Sequence, residues 1–108
     1  MGVMDVELLV VPECSNGAGA ARLLRTALDD IGLPDKDFDT TVVVSQSDAE
    51  RRGFTGSPTF FVDGIDLFRE PGRPAGLSCR LYRSSDRLGG VPDLVELRRA
   101  LKSAADRH

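Results

Sequence analysis

A chain of 108 residues with 41% apolar and 29% charged content has room for one hydrophobic core and not for two, so a single domain over residues 1–108 is expected. A formal net charge of −3 and the lack of any lysine-arginine run argue against nucleic acid or an anionic membrane as partner. Val3 to Val11 is interrupted by Asp5 and Glu7 and is too short for a membrane span or a secretion signal; with two cysteines, the expected location is the reducing cytoplasm.

In chain order, Val6 to Val11 is apolar apart from Glu7 and stops at Pro12, which predicts a short strand buried on both faces. From about Gly17 to Ile31, Leu24, Ala27, Leu28 and Ile31 recur at helical spacing; Ser15 or Asn16 can cap the start, and Gly32 and Pro34 end it. Phe38 to Val44 predicts a second strand, parallel to the first because a helix joins them. Ser47-Asp48-Ala49-Glu50 fits a capping box for a short helix ending near Gly53. Pro58 has no N–H for a ladder and suits the first residue of a strand through Phe60, Phe61 and Val62. Asp63-Gly64 then supplies the positive φ angles of a two-residue hairpin turn, with a return strand through Ile65, Asp66 and Leu67.

Arg69 to Gly90 shows no clear period. Within it, Leu77, Leu81 and Tyr82 are expected to pin Ser78-Cys79-Arg80 against the body as an extra short strand. An amphipathic helix from about Pro92 to Ala105, with Leu94, Leu97 and Leu101 on one face, closes the chain. The order β-α-β-α-β-β-α implies an α/β fold whose central mixed sheet of about four strands is flanked by helices.

Cys14 follows the first strand and precedes a helix, where unpaired N–H groups and the helix dipole favour a thiolate. That makes it a candidate nucleophile, against the alternative that it is one more small buried hydrophobe. The carboxylate of Glu13 beside it opposes negative charge, and the only histidine, His108, is the last residue. Cys79 has three readings: a distant resolving thiol, a second thiolate for a soft ion such as Cu(I) or Hg(II), or an inert cysteine packed behind Leu81 and Tyr82. Arg80 and Arg83 flank it, either to draw an anionic substrate and steady a thiolate or to pair with local acids such as Asp86. Gly17-Ala18-Gly19-Ala20-Ala21 lacks a full phosphate-loop fingerprint and is explained by close packing of a helix start.

Cys14 at a strand-to-helix junction, the Gly56-Ser57-Pro58-Thr59 turn opening a strand, and the element order together resemble the thioredoxin superfamily. The resemblance implies a thioredoxin-like fold, with Pro58 as a cis-proline facing Cys14. It also implies that Ser57 and Pro58 present backbone groups to an extended peptide or thiol substrate, and that the loop bearing Cys79 emerges on the rim that carries Cys14. Cys14-Ser15-Asn16-Gly17 lacks the second cysteine of a Cys-x-x-Cys motif, which excludes a conventional thioredoxin and requires any resolving thiol to come from elsewhere.

Glu13-Cys14-Ser15-Asn16, Gly53 to Thr59, Val62-Asp63-Gly64 and Gly76 to Tyr82 are more closely similar to a group of small bacterial thioredoxin-like proteins, some labelled alkylmercury-lyase-like. The function implied is a thiol-disulfide oxidoreductase or thiol-dependent redox protein without a cofactor. Cys14 and Cys79 would be its catalytic residues, Ser57, Pro58 and Arg80 its substrate contacts, and a thiol or disulfide its substrate. The alternatives are a soft-metal or organomercurial binding protein with Cys14 and Cys79 as ligands, and a non-catalytic binding module.

Overall fold

A computed structural model describes residues 4–83 and 88–107. Alternation along the first strand, β1 (Val6–Val10), decides the layering. Val6, Leu8 and Val10 enter one core, while Leu9 enters another on the opposite face. Helix α1 (Gly17–Asp30) packs over the first core through Ala20, Leu24, Ala27 and Leu28, joined by α3 (Leu94–Asp106) through Leu97, Leu101 and Ala104. Helix α2 (Gln46–Arg52) covers the other face, where Ala49 meets Leu9, Val43, Phe54 and Phe61. Glu7 points to that second face as well, half-buried, and accepts from the Thr41 hydroxyl at 2.6 Å.

The main sheet has the order β2-β1-β3-β4, with β2 (Asp39–Val42), β3 (Thr59–Val62) and β4 (Ile65–Asp66). β1 and β2 are parallel, whereas β1–β3 and β3–β4 are antiparallel, so the sheet is mixed as expected. All four residues of β3 are buried, with Phe60 and Val62 on the α1–α3 side and Phe61 on the α2 side. β2 is an edge: its ladder is shorter than Phe38 to Val44, and only Val43 just beyond it is fully buried, while Val42 and Val44 are 49% and 67% exposed. The hairpin turn is of the primed kind, Asp63 at φ 54° and Gly64 at φ 79°, and Asp63 Oδ1 accepts the Asp5 N–H at 2.9 Å.

Helix ends differ from expectation in detail. α2 begins earlier than a cap at Ser47 would allow, because the Ser45 hydroxyl accepts the Asp48 N–H at 3.1 Å; Gly53, at φ 70°, ends it. At α1 the capping position falls to Asn16, but its side chain makes no capping bond. The aperiodic segment contains a second, two-stranded sheet, β5 (Tyr82–Arg83) against β6 (Leu88–Gly89). Tyr82 is buried, but Leu81 is exposed and pins nothing. Asp86 lies outside the described residues. Among the described residues no helix is long and apolar enough to cross a membrane.

Candidate functional site

Where β1 ends, the chain turns sharply to deliver Cys14. The Cys14 N–H donates to the Val11 carbonyl at 3.3 Å, with Pro12 second and Glu13 third in a turn whose third residue sits at φ 59°. This is the arrangement of a type II turn, with proline where its ring pre-sets φ and a side chain where glycine is favoured. Cys14 is half-buried, and its carbonyl accepts the N–H of Gly17, the first residue of α1. It therefore precedes the helix by a full turn of chain. The hydrogen bond to its sulfur comes from the Ser57 hydroxyl, at 2.9 Å.

Ser57 is fully buried and every polar group it owns is engaged. Its Oγ accepts the Val11 N–H at 3.0 Å, which leaves the hydroxyl proton for Cys14 Sγ. Its backbone N–H donates to the Ser78 carbonyl at 3.0 Å, and its carbonyl accepts the Arg80 N–H at 2.9 Å. Those two bonds form a parallel bridge in which Ser57 stands directly opposite Cys79. Opposed residues of neighbouring strands send their side chains to the same face, across a spacing of about 4.8 Å. Ser57 thus contacts one cysteine through its hydroxyl and pairs with the other through its backbone. Both cysteines are free, and Cys79 is exposed rather than packed behind Leu81 and Tyr82.

The same bonds correct one expectation. Ser57 and Pro58 do not offer vacant backbone groups to an extended peptide: both the N–H and the C=O of Ser57 are bonded to the chain's own segment 78–80, and the Pro58 carbonyl accepts the Tyr82 hydroxyl at 2.5 Å. The Ser57–Pro58 peptide bond is cis. Gly56, at φ 144°, allows the two segments to meet. A Cβ there would lie 2.9 Å from Arg80 Cβ and 3.2 Å from the Ser78 carbonyl oxygen.

Arg80 requires a second correction. Expected at the rim as a contact for an anionic substrate, it is fully buried and points into the protein. Its Nη1 donates to Asp66 Oδ2 at 2.7 Å and to Thr59 Oγ1 at 3.2 Å, its Nη2 donates to the Phe68 carbonyl, and the guanidinium lies 4.8 Å from the Tyr82 ring centroid. A buried guanidinium needs such partners to offset its lost hydration, and Asp66 neutralises its charge. Among the described residues its Nε finds no hydrogen-bond partner. Tyr82 forms edge-to-face contacts with Phe60 and Phe68, and burial holds its phenol well above the usual tyrosine range, against the opposing pull of Arg80.

Ser57 is therefore the residue that links the candidates, bonded to Cys14 through its hydroxyl and set opposite Cys79 through its backbone, with Pro58 next in the chain and the buried Arg80 behind as an anchor. Sequence reasoning did not single out Tyr82, Asp66 and Thr59 as partners of that anchor. For Tyr82 a signal exists in the alternation from Cys79 to Tyr82, which places Arg80 and Tyr82 on one side and Cys79 and Leu81 on the other; for Asp66 and Thr59 the sequence holds none. No cluster of three or more histidine, cysteine, aspartate or glutamate residues suited to a metal occurs among the described residues. A groove of about 390 Å³ beside α2, lined by Arg52, Thr55, Phe61, Asp66, Arg69 and Arg73, has neither cysteine in its walls. No protein-family model, no curated protein and no solved structure matches this chain.

Proposed function

We propose that this chain is a cytosolic thioredoxin-like redox protein in which Cys14 exchanges with disulfides and Cys79 resolves the product. What carries the reading is the double engagement of Ser57, hydroxyl to Cys14 Sγ at 2.9 Å and backbone to Cys79. The β2-β1-β3-β4 sheet, the helices on both faces and the Ser57–Pro58 turn beside Cys14 support the thioredoxin-like assignment. The absent Cys-x-x-Cys partner is made good from a different part of the chain.

In the forward direction the Cys14 thiolate attacks one sulfur of a disulfide, forming a mixed disulfide and releasing a thiolate. The Cys79 thiolate then attacks Cys14 Sγ, closing a Cys14–Cys79 disulfide and releasing the second thiolate. When a thiol reduces the protein again, Cys14 can be the leaving group. In either direction negative charge passes through its sulfur, where the Ser57 hydroxyl is already aimed, and a donor fixed in advance stabilises that charge without reorganising.

The Cys79→Ser variant tests the assignment. Treated with a small disulfide, it should accumulate a mixed disulfide on Cys14 by mass spectrometry, whereas the wild type should resolve that adduct to an internal disulfide. A wild type that retains the adduct as long as the variant removes Cys79 from the mechanism. Two free thiols linked through Ser57 also favour a second reading, two-coordinate binding of Cu(I) or Hg(II), which needs no further ligand. On that reading Cys79→Ser loses most of the affinity for Cu(I); unchanged affinity rejects it. If neither cysteine reacts or binds, the chain is a binding module.

A further inference from the structure

We infer that segment 78–82 acts as a fixed internal strap that restricts the substrate of the Cys14 site to low-molecular-weight disulfides and keeps extended peptides out. The inference rests on the redox reading above and deepens it. An extended peptide is held beside a reactive group chiefly by backbone pairing to an exposed edge, with side-chain pockets adding selectivity. At this site the backbone groups next to Cys14 are the N–H and C=O of Ser57, and both are already bonded to Ser78 and Arg80.

The strap is held at three further points. The Tyr82 hydroxyl donates to the Pro58 carbonyl, the Arg80 guanidinium is fixed by Asp66, Thr59 and the Phe68 carbonyl, and Gly56 lets the Arg80 backbone come within 3.3 Å of where a Cβ would stand. A peptide strand would have to displace the Ser57 pairing, and displacing it pulls on a buried charged side chain. A small disulfide needs no edge. It has only to reach the sulfur of Cys14, a half-buried residue, and exposed Cys79 stands where the strap delivers it opposite Ser57. The strap thus occupies the position of a substrate strand and carries its own thiol there.

With a small disulfide RSSR the electrons balance without another reactant. Cys14 forms a bond to one R–S sulfur as RS⁻ leaves, and Cys79 then forms the bond to Cys14 as the second RS⁻ leaves. The two cysteines are oxidised by two electrons, RSSR is reduced to two thiols, and the thiol protons pass to the departing thiolates.

The test uses two probes with the same leaving group: bis(2-hydroxyethyl) disulfide, and a short unstructured peptide whose single cysteine is linked to 2-mercaptoethanol. Each rate with the reduced wild-type protein is divided by that probe's rate with free cysteine, and products are identified by mass spectrometry. The expected result is a normalised rate at least tenfold higher for the small disulfide, with the internal Cys14–Cys79 disulfide as product. An equal or higher normalised rate for the peptide overturns the strap as a barrier and leaves the redox reading standing. No reaction with either probe overturns the redox reading and this inference with it.

Discussion

A serine hydroxyl has one proton to give, and at Ser57 the Val11 N–H already occupies a lone pair, so the proton is directed at Cys14 Sγ. Ser57→Ala removes that donor and leaves the Val11 N–H without its partner. A hydrogen bond to a charged group contributes about 1.5–3 kcal/mol, and because the attacking sulfur keeps only about half its charge in the transition state, reaction of Cys14 with a small disulfide should slow by about three- to tenfold, measured by stopped-flow thiol release. An unchanged rate would mean that the contact is structural only. Gly56 makes a separate point about space. Gly56→Ala would force a Cβ against Arg80 and the Ser78 carbonyl at a backbone angle that side chains avoid, and should cost about 2–5 kcal/mol in chemical denaturation.

Cys14 and Pro58 were legible in sequence because each has a chemical reason to stand where it does, at a strand-to-helix junction and at a strand start. Arg80 was not, because an arginine is read as exposed unless its partners are known. Its main partner, Asp66, lies on the return arm of a hairpin whose proximity only the fold reveals.

Among the elements, segment 78–82 and the small β5–β6 sheet resisted reading most. Strands of two residues give too few alternations to establish a period, and the backbone bonds of Ser78 and Arg80 run to Ser57, distant in sequence. The start of α2 was misplaced for a simpler reason: Ser45 and Ser47 both have a capping hydroxyl, and only the bond from the Asp48 N–H identifies which one caps. The strap's dependence on Tyr82 is testable through pH. Burial raises the Tyr82 phenol above its ordinary value of about 10, so the folded state keeps it neutral while the unfolded chain ionises it. Its contribution to stability is complete below about pH 10 and is lost progressively as pH rises above that. Tyr82→Phe should therefore be less stable by about 1–3 kcal/mol at pH 7, where the Pro58 carbonyl loses its donor, yet lose less than the wild type between pH 10 and 11. Urea midpoints across that range measure both effects. An alkaline limb as steep as the wild type's would place the titrating group elsewhere.

Across the whole molecule, the two-sided core explains why the β-α-β-α-β-β-α order could be read at all. β1 is apolar at alternating and adjacent positions because helices cover both its faces, and the hairpin turn at Asp63-Gly64 sets the antiparallel return. What the pattern could not supply is a long-range contact, the parallel bridge that carries Cys79 to Ser57, and the functional proposal depends on it. The most direct test is disulfide mapping of the wild-type protein after mild oxidation by a small disulfide at low protein concentration. The account predicts one internal cross-link, joining the proteolytic fragment that contains Cys14 to the one that contains Cys79, with no free thiol remaining. Recovery of Cys14 as a persistent adduct with Cys79 still free, or of dimers linked between chains, would contradict it.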